Sequence, residues 1–261
     1  MELERHFHLA TGAASSTTET GAGPAARTGF YAVTIFCQHA VAGASIVDGM
    51  HRAIDLKVLY FGTPVVLIST RNVDGTANIA PMSSAFWLGD QGMLGMNSAS
   101  QTTRNMLRER ECVLNLPSSA LVAAVDRLAL LSGSPEMTPH KLEKGYRYEP
   151  NKFGAAGLTP VASEIVAVPR IAECPIQLEC TVLSSRPFDE HDSVTTHTVQ
   201  VVRAHVEEEL IIPGTAHIDP QGWDPLIMKF CEFFGGGTQL QPSRLAEAWQ
   251  IPQPQPARQP V

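Results

Sequence analysis

This 261-residue chain lacks several kinds of machinery, and each absence narrows what it does. It has no block of Lys and Arg, and its net charge is -7. That argues against a sequence-independent grip on nucleic acid or on anionic lipid, because both depend on clustered cations. It has no Cys-x-x-Cys pair. The 5 cysteines (Cys37, Cys112, Cys174, Cys180, Cys231) are odd in number and scattered, which suggests neither a disulfide framework nor a zinc site and fits a reducing cytosol. There is no His-Glu-x-x-His helix, and His191 sits among Asp189, Glu190 and Asp192 in what reads as a solvated acidic loop, so no metal is expected. The Gly-x-Ser-x-Gly elbow of a serine nucleophile is missing too, and Leu131-Ser132-Gly133-Ser134 does not replace it. No apolar run reaches the roughly 18 residues that span a bilayer.

What is present suits a folded protein. With 44% hydrophobic and 17% charged residues the chain can bury a full core. Its ends differ from its middle. Residues 13–27 are a run of Ala, Ser, Thr and Gly that buries little. Met50 opens the segment that reads as folded, so residues 1–49 are expected to be a disordered extension or the product of an early start codon. Residues 50–237 form one compact domain, and residues 238–261 form a Pro- and Gln-rich tail.

The middle reads as mainly β with inserted helices. Pro64 to Thr70 is a continuous apolar run, and Asn72-Val73-Asp74-Gly75 supplies turn residues that send the chain back through Ala77 to Trp87 as an antiparallel partner. Gly92 to Met96 is a third strand, Thr102 to Arg110 a helix, and Glu111 to Leu116 a strand. In Ser118 to Leu131 the residues Leu121, Val122, Val125, Leu128 and Ala129 recur at helical spacing. Ile176 to Val182 alternates apolar and polar, and Thr198 to Val206 is rich in β-branched residues. Short strands with helices between them suggest an antiparallel barrel rather than a doubly wound sheet.

The chemistry concentrates where a strand feeds a helix, at Asn97-Ser98-Ala99-Ser100-Gln101-Thr102-Thr103-Arg104-Asn105. A helix starting near Gln101 leaves its first N–H groups unpaired, and their partial positive charge favours an anion. Ser98, Ser100, Thr102 and Thr103 add hydroxyls, and Arg104 adds a cation, so a phosphate could be held there without a lysine. The competing reading is that these Ser and Thr residues only cap the helix. A second polar cluster, Pro81-Met82-Ser83-Ser84, closes the neighbouring strand and favours the phosphate reading.

In this order, together with Met82-Ser83-Ser84-Ala85, Glu111-Cys112-Val113-Leu114-Asn115-Leu116, Lys152-Phe153, Ala156-Gly157-Leu158-Thr159, Glu173 to Cys180, His197 and Asp224-Pro225-Leu226, the chain resembles the flavin reductase family of FMN-binding split barrels. The resemblance implies an antiparallel Greek-key split β-barrel, paired as a homodimer, with FMN (or FAD) near the interface. It implies that Ser83, Ser84 and Ala85 line the flavin ring, that Asn97 and Ser98 contact the ring or ribityl chain, and that Ser100, Gln101 and Thr102 hold the phosphate. Asn105 would be a support, and the loop carrying Tyr146 and Lys152-Phe153 would close over the ring or pack on itself. His197 would stand near the nicotinamide or be a strand-end histidine bonded to solvent. The implied activity is a cytoplasmic NAD(P)H-dependent flavin reductase, with hydride passing from NADH or NADPH to flavin N5 and reduced flavin available to a separate monooxygenase. Absence of a Gly-x-Gly-x-x-Gly loop is no objection, since a nicotinamide can dock transiently on the flavin face. The same resemblance also admits an FMN prosthetic-group oxidoreductase with another small substrate, or a non-catalytic flavin-binding electron carrier.

Overall fold

The structure is a computed structural model that describes residues 51–191 and 193–252. The expectation for residues 1–49 lies outside them. In chain order the strands are β1 (Phe61–Pro64), β2 (Val66–Arg71), β3 (Ala77–Met82), β4 (Ala85–Leu88), β5 (Gln91–Asn97), β6 (Glu111–Leu116), β7 (Ile176–Pro187), β8 (Val194–Val206), β9 (Ile227–Lys229) and β10 (Glu232–Phe234). Two further ladders have strands of only two residues, 131–132 with 147–148 and 160–161 with 170–171. The helices are α1 (Gln101–Glu109), α2 (Val122–Leu128), α3 (Pro139–Glu143), α4 (Lys152–Ala156) and, in the tail, α5 (Arg244–Ala248).

Seven strands form one antiparallel sheet in the order β3-β2-β6-β7-β8-β5-β4. Its two edge strands are consecutive in the chain, so the sheet must curl until the edges approach each other at Ser83-Ser84. The expected strand from Ala77 to Trp87 is therefore broken in two: the chain leaves one edge of the sheet at Met82 and joins the other at Ala85. The Asn72–Gly75 turn closes as expected, with Gly75 at φ 84° and its N–H donating to the Asn72 carbonyl.

Alternation along β2 builds two cores. Val66 and Ile68 point inside the curled sheet with Leu94, Met96, Leu114, Cys180 and Val199, and Met106 of α1 joins them. Val65 and Leu67 point outward, where Val125 and Leu128 of α2, Phe153 and Ala156 of α4, and Leu226 cover them. Cys112 and Cys180, far apart in sequence, stand directly opposite each other on β6 and β7, both buried and reduced. Among the described residues no helix is long and apolar enough to cross a membrane, and no three metal-ligating side chains cluster.

Candidate functional site

The tip of α1 is where the predicted residues meet. Ser100 is the N-cap: its Oγ accepts from the Thr103 N–H at 3.1 Å and donates to Thr103 Oγ1 at 2.9 Å. Thr103 in turn donates to the Asn97 carbonyl, and Asn97 Oδ1 accepts the Ala99 N–H. These bonds fix the turn and leave the N–H groups of Gln101 and Thr102 with no acceptor among the described residues. They also leave Ser100 with no hydroxyl proton for a ligand. Its part is to hold the turn, and the N–H groups left open at the tip are those of its neighbours.

Below the tip the structure is stiff. Thr102 is 3% exposed, and its hydroxyl accepts from Asn78 Nδ2 at 3.1 Å. Asn105 is buried and donates to Thr70 Oγ1 and Asn72 Oδ1 while accepting from Gln101 Nε2 at 2.9 Å, which ties α1 to β2 and to the turn after it. Ser98 Oγ pairs with Thr195 Oγ1 on β8 at 2.8 Å. Ser83 and Ser84 occupy the seam between the sheet edges. Ser84 lies opposite Gly95, which donates to its carbonyl, so it is two residues, or about 7 Å, from Asn97 along β5. Neither serine hydroxyl is engaged by a partner among the described residues. Ala85 belongs to the inner core, so only its backbone is available to a ligand.

Beside Ser83 lies a mainly apolar cleft of about 200 Å³, bounded by Tyr60, Pro81, Met82, Val125, Met228 and Cys231 among others. It adjoins the seam at Ser83 and is separate from the α1 tip. The hairpin over it turns at Phe230 (φ 49°) and Cys231 (φ 69°), a left-handed pair with no glycine.

Two expected residues stand elsewhere. Phe153 is 6% exposed and packed in the outer core, so it does not close over a ring. His197 is fully buried, facing the inner core opposite Leu94, with Nδ1 2.8 Å from Ser185 Oγ and Nε2 without a partner. Burial, and then the charge of Arg110, lowers its pKa to about 4, so the ring is neutral at physiological pH. A sealed, neutral imidazole in the single chain does not fit the catalytic assignment.

The structure gives contacts to residues whose partners the sequence did not show. The loop Ser132-Gly133-Ser134 lies on α1: a side chain at Gly133 would fall 2.2 Å from Asn78 Oδ1 and 3.3 Å from Gln101 Cβ. Arg104 donates to Ser134 Oγ at 3.1 Å, and Lys152 Nζ reaches the Ile79 carbonyl at 2.9 Å. A glycine between two serines, and a lysine leading an aromatic residue into a helix, were the only signals in the sequence.

The site thus combines unpaired N–H donors, unspent serine hydroxyls and the guanidinium of Arg104 on the same helix, a donor set that fits a phosphate. The family model for the flavin reductase like domain matches residues 58–228. The Bacillus subtilis protein YdfE is 39% identical over 189 residues, covering 72% of this chain and 91% of its own. Flavoredoxin of Desulfovibrio vulgaris (Miyazaki F) superposes with a TM-score of 0.62 at 23% identity, covering 76% of this chain and all of that one (100%). Nitrilotriacetate monooxygenase component B from Bacillus cereus does so at 0.57 and 23%, covering 69% and 87%. At these identities the structural likeness shows the split-barrel fold.

Proposed function

This chain belongs to the flavin reductase like domain family, and on that premise we infer that it is an NAD(P)H-dependent FMN reductase. The observation that carries the reading is the α1 tip: two free N–H groups at the end of the turn that starts at Asn97, a residue about 7 Å along β5 from a seam whose serine hydroxyls are unspent. A dianionic phosphate satisfies Gln101 and Thr102, with Arg104 one turn further along. Ser83, Ser84, Asn97 and Ser98 then line the path of the ribityl chain and ring. When bound, FMN supplies the redox chemistry, taking a hydride from NADH or NADPH at ring N5. The protein's own work is positioning: the buried bonds of Asn78, Thr70 and Asn105 keep the tip rigid, which is what close alignment of two rings requires.

Pairing of two copies fits the sheet's outer face. Phe86 (50% exposed) sits opposite Met93 (39%) in the register of β4 and β5, with Leu88 (74%) two residues on. These apolar groups follow Ser84 along the strand, so a second copy seated there closes the site. The likeness to component B of a nitrilotriacetate monooxygenase supports delivery of reduced flavin to a partner oxygenase. The likeness to flavoredoxin supports the alternative that flavin stays bound as a carrier.

Anaerobic mixing of purified protein with FMN and each nicotinamide tests the reading. Colourless protein that oxidises NADH or NADPH only with added FMN is the expected result. Flavin that copurifies and bleaches without release means a prosthetic group, and bound flavin that neither nicotinamide reduces means a carrier.

A further inference from the structure

The cleft beside Ser83 measures about 200 Å³, and none of the residues that line it is Asp, Glu, Lys, Arg or His. Two aromatic side chains, Tyr60 and Phe233, and two thioethers, Met82 and Met228, stand in its wall. Thioethers adapt their shape to a neighbour and make favourable contacts with the edge of an aromatic ring. An ionised ligand would give up its water there with no partner in return.

One polar group opens into this space. Ser83 is 7% exposed, and its hydroxyl has no partner among the described residues. The polar side-chain atoms that are both sealed and unpartnered among those residues are Thr63 Oγ1, Asn78 Oδ1, Trp87 Nε1 and His197 Nε2. Ser83 Oγ is therefore unpartnered without being sealed, and the open space that Ser83 borders is the cleft. A hydroxyl in that state gains a bond when a ligand brings a polar group to it.

The rim is built at a conformational cost. β9 and β10 are joined by a two-residue turn, Phe230-Cys231, with Lys229 opposite Glu232 and both turn residues at positive φ. Asn-Gly is the usual choice for such a turn. Here both positions carry larger side chains: Cys231 lines the cleft, and the Phe230 ring meets the Phe61 ring edge-on with centroids 5.4 Å apart. Backbone strain of this kind persists at ligand clamps. A glycine at position 231 would relax the turn and take away part of the cleft wall.

We propose that this cleft is a binding site for an uncharged, single-ring aromatic molecule whose one hydrogen-bonding group meets Ser83. Its size suits one ring, since a cavity of about 150 Å³ takes benzene and pockets for drug-sized ligands begin near about 300 Å³. The diphosphate of a dinucleotide would find no cation in its wall. Ser83 also borders the path assigned to the flavin, and the proposal rests on the flavin reading only for that neighbour.

The test uses full-length, flavin-free protein labelled with ¹³C at the methionine methyls, so that Met82 and Met228 report an occupant through ring-current shifts. Phenol is the probe, toluene lacks its hydroxyl, and benzoate adds a charge. Phenol is expected to shift both methyls saturably with a Kd of about 1 mM or tighter, and benzoate to leave them unmoved. Ser83→Ala is expected to weaken phenol about fivefold and to leave toluene no weaker, which also shows that the variant keeps a folded cleft. Ala129→Phe, at an exposed position just after α2 that lines the cleft, is expected to abolish binding of both. Unshifted methyls, benzoate binding as well as phenol, phenol affinity indifferent to Ser83→Ala, or binding that survives Ala129→Phe overturns the proposal. Adding FMN separates it from the flavin reading. Phenol that still binds beside FMN supports both, and phenol bound by protein that takes no FMN keeps the cleft while the flavin reading falls. FMN that binds and displaces phenol makes the cleft part of the flavin's own site and overturns this proposal alone.

Discussion

Replacing Lys152 with Met should stabilise this protein near neutral pH, although it deletes a buried hydrogen bond. Lys152 is 4% exposed, and its ammonium donates to one carbonyl. Its pKa falls from 10.5 to about 8, so the unfolded chain binds more protons than the folded one between those values. Stability therefore rises with pH across that window and is depressed below it. A shift of that size corresponds to about 3 kcal/mol at pH 7. Loss of the bond to the Ile79 carbonyl returns about 1 kcal/mol of that. Lys152→Met, of similar length and apolar, should thus gain about 2 kcal/mol at pH 7 and abolish the rise between pH 8 and 10. Urea unfolding of both proteins at pH 7, 8.5 and 10, without added anions, measures it. Lower stability of the variant at pH 7, or an unchanged pH dependence, would refute the claim that the cation is buried without a partner.

Other expectations follow from single groups. Burial alone would raise the pKa of Glu179, but the N–H groups of Glu164, Val166 and Ile165 together with His205 outweigh it and hold the carboxyl at about 2. Its contribution is complete above about 4.5, the ordinary value, and disappears as pH falls through 2, so Glu179→Gln should lose about 3 kcal/mol at pH 7 and flatten the acid limb of a pH-stability curve. Gly133→Ala should push Asn78 off the Thr70 and Thr102 hydroxyls, costing about 1–3 kcal/mol and weakening FMN binding in a fluorescence titration. Ser100→Ala should cost about 1 kcal/mol of stability through the lost cap. His197→Phe should leave the pH profile of NADH oxidation unmoved between pH 5 and 8, because the native ring is already neutral there.

How much was legible depended on the range of the contact. The Asn72–Gly75 turn, the strand Glu111–Leu116 and the start of α1 are local, and the sequence pattern located them closely. The break at Ser83-Ser84 is set by closure of a seven-stranded sheet, which no short window contains. Ser100 illustrates a different limit: capping a helix and binding a phosphate ask for the same hydroxyl, and only the Thr103 bonds decide between them. The inward face of His197 was readable, since it shares the period-two alternation of buried Val199. Lys152 and Gly133 reach the site from 51 and 32 residues beyond Gln101, so their role needed the fold.

Comparison of FMN with riboflavin tests the central claim most directly, since the two differ only in the phosphate assigned to the tip of α1. Two charge-assisted N–H bonds and a nearby guanidinium predict that FMN quenches in a fluorescence titration with affinity at least about a hundredfold above riboflavin's. Riboflavin binding as tightly as FMN, or no binding of either, would contradict it.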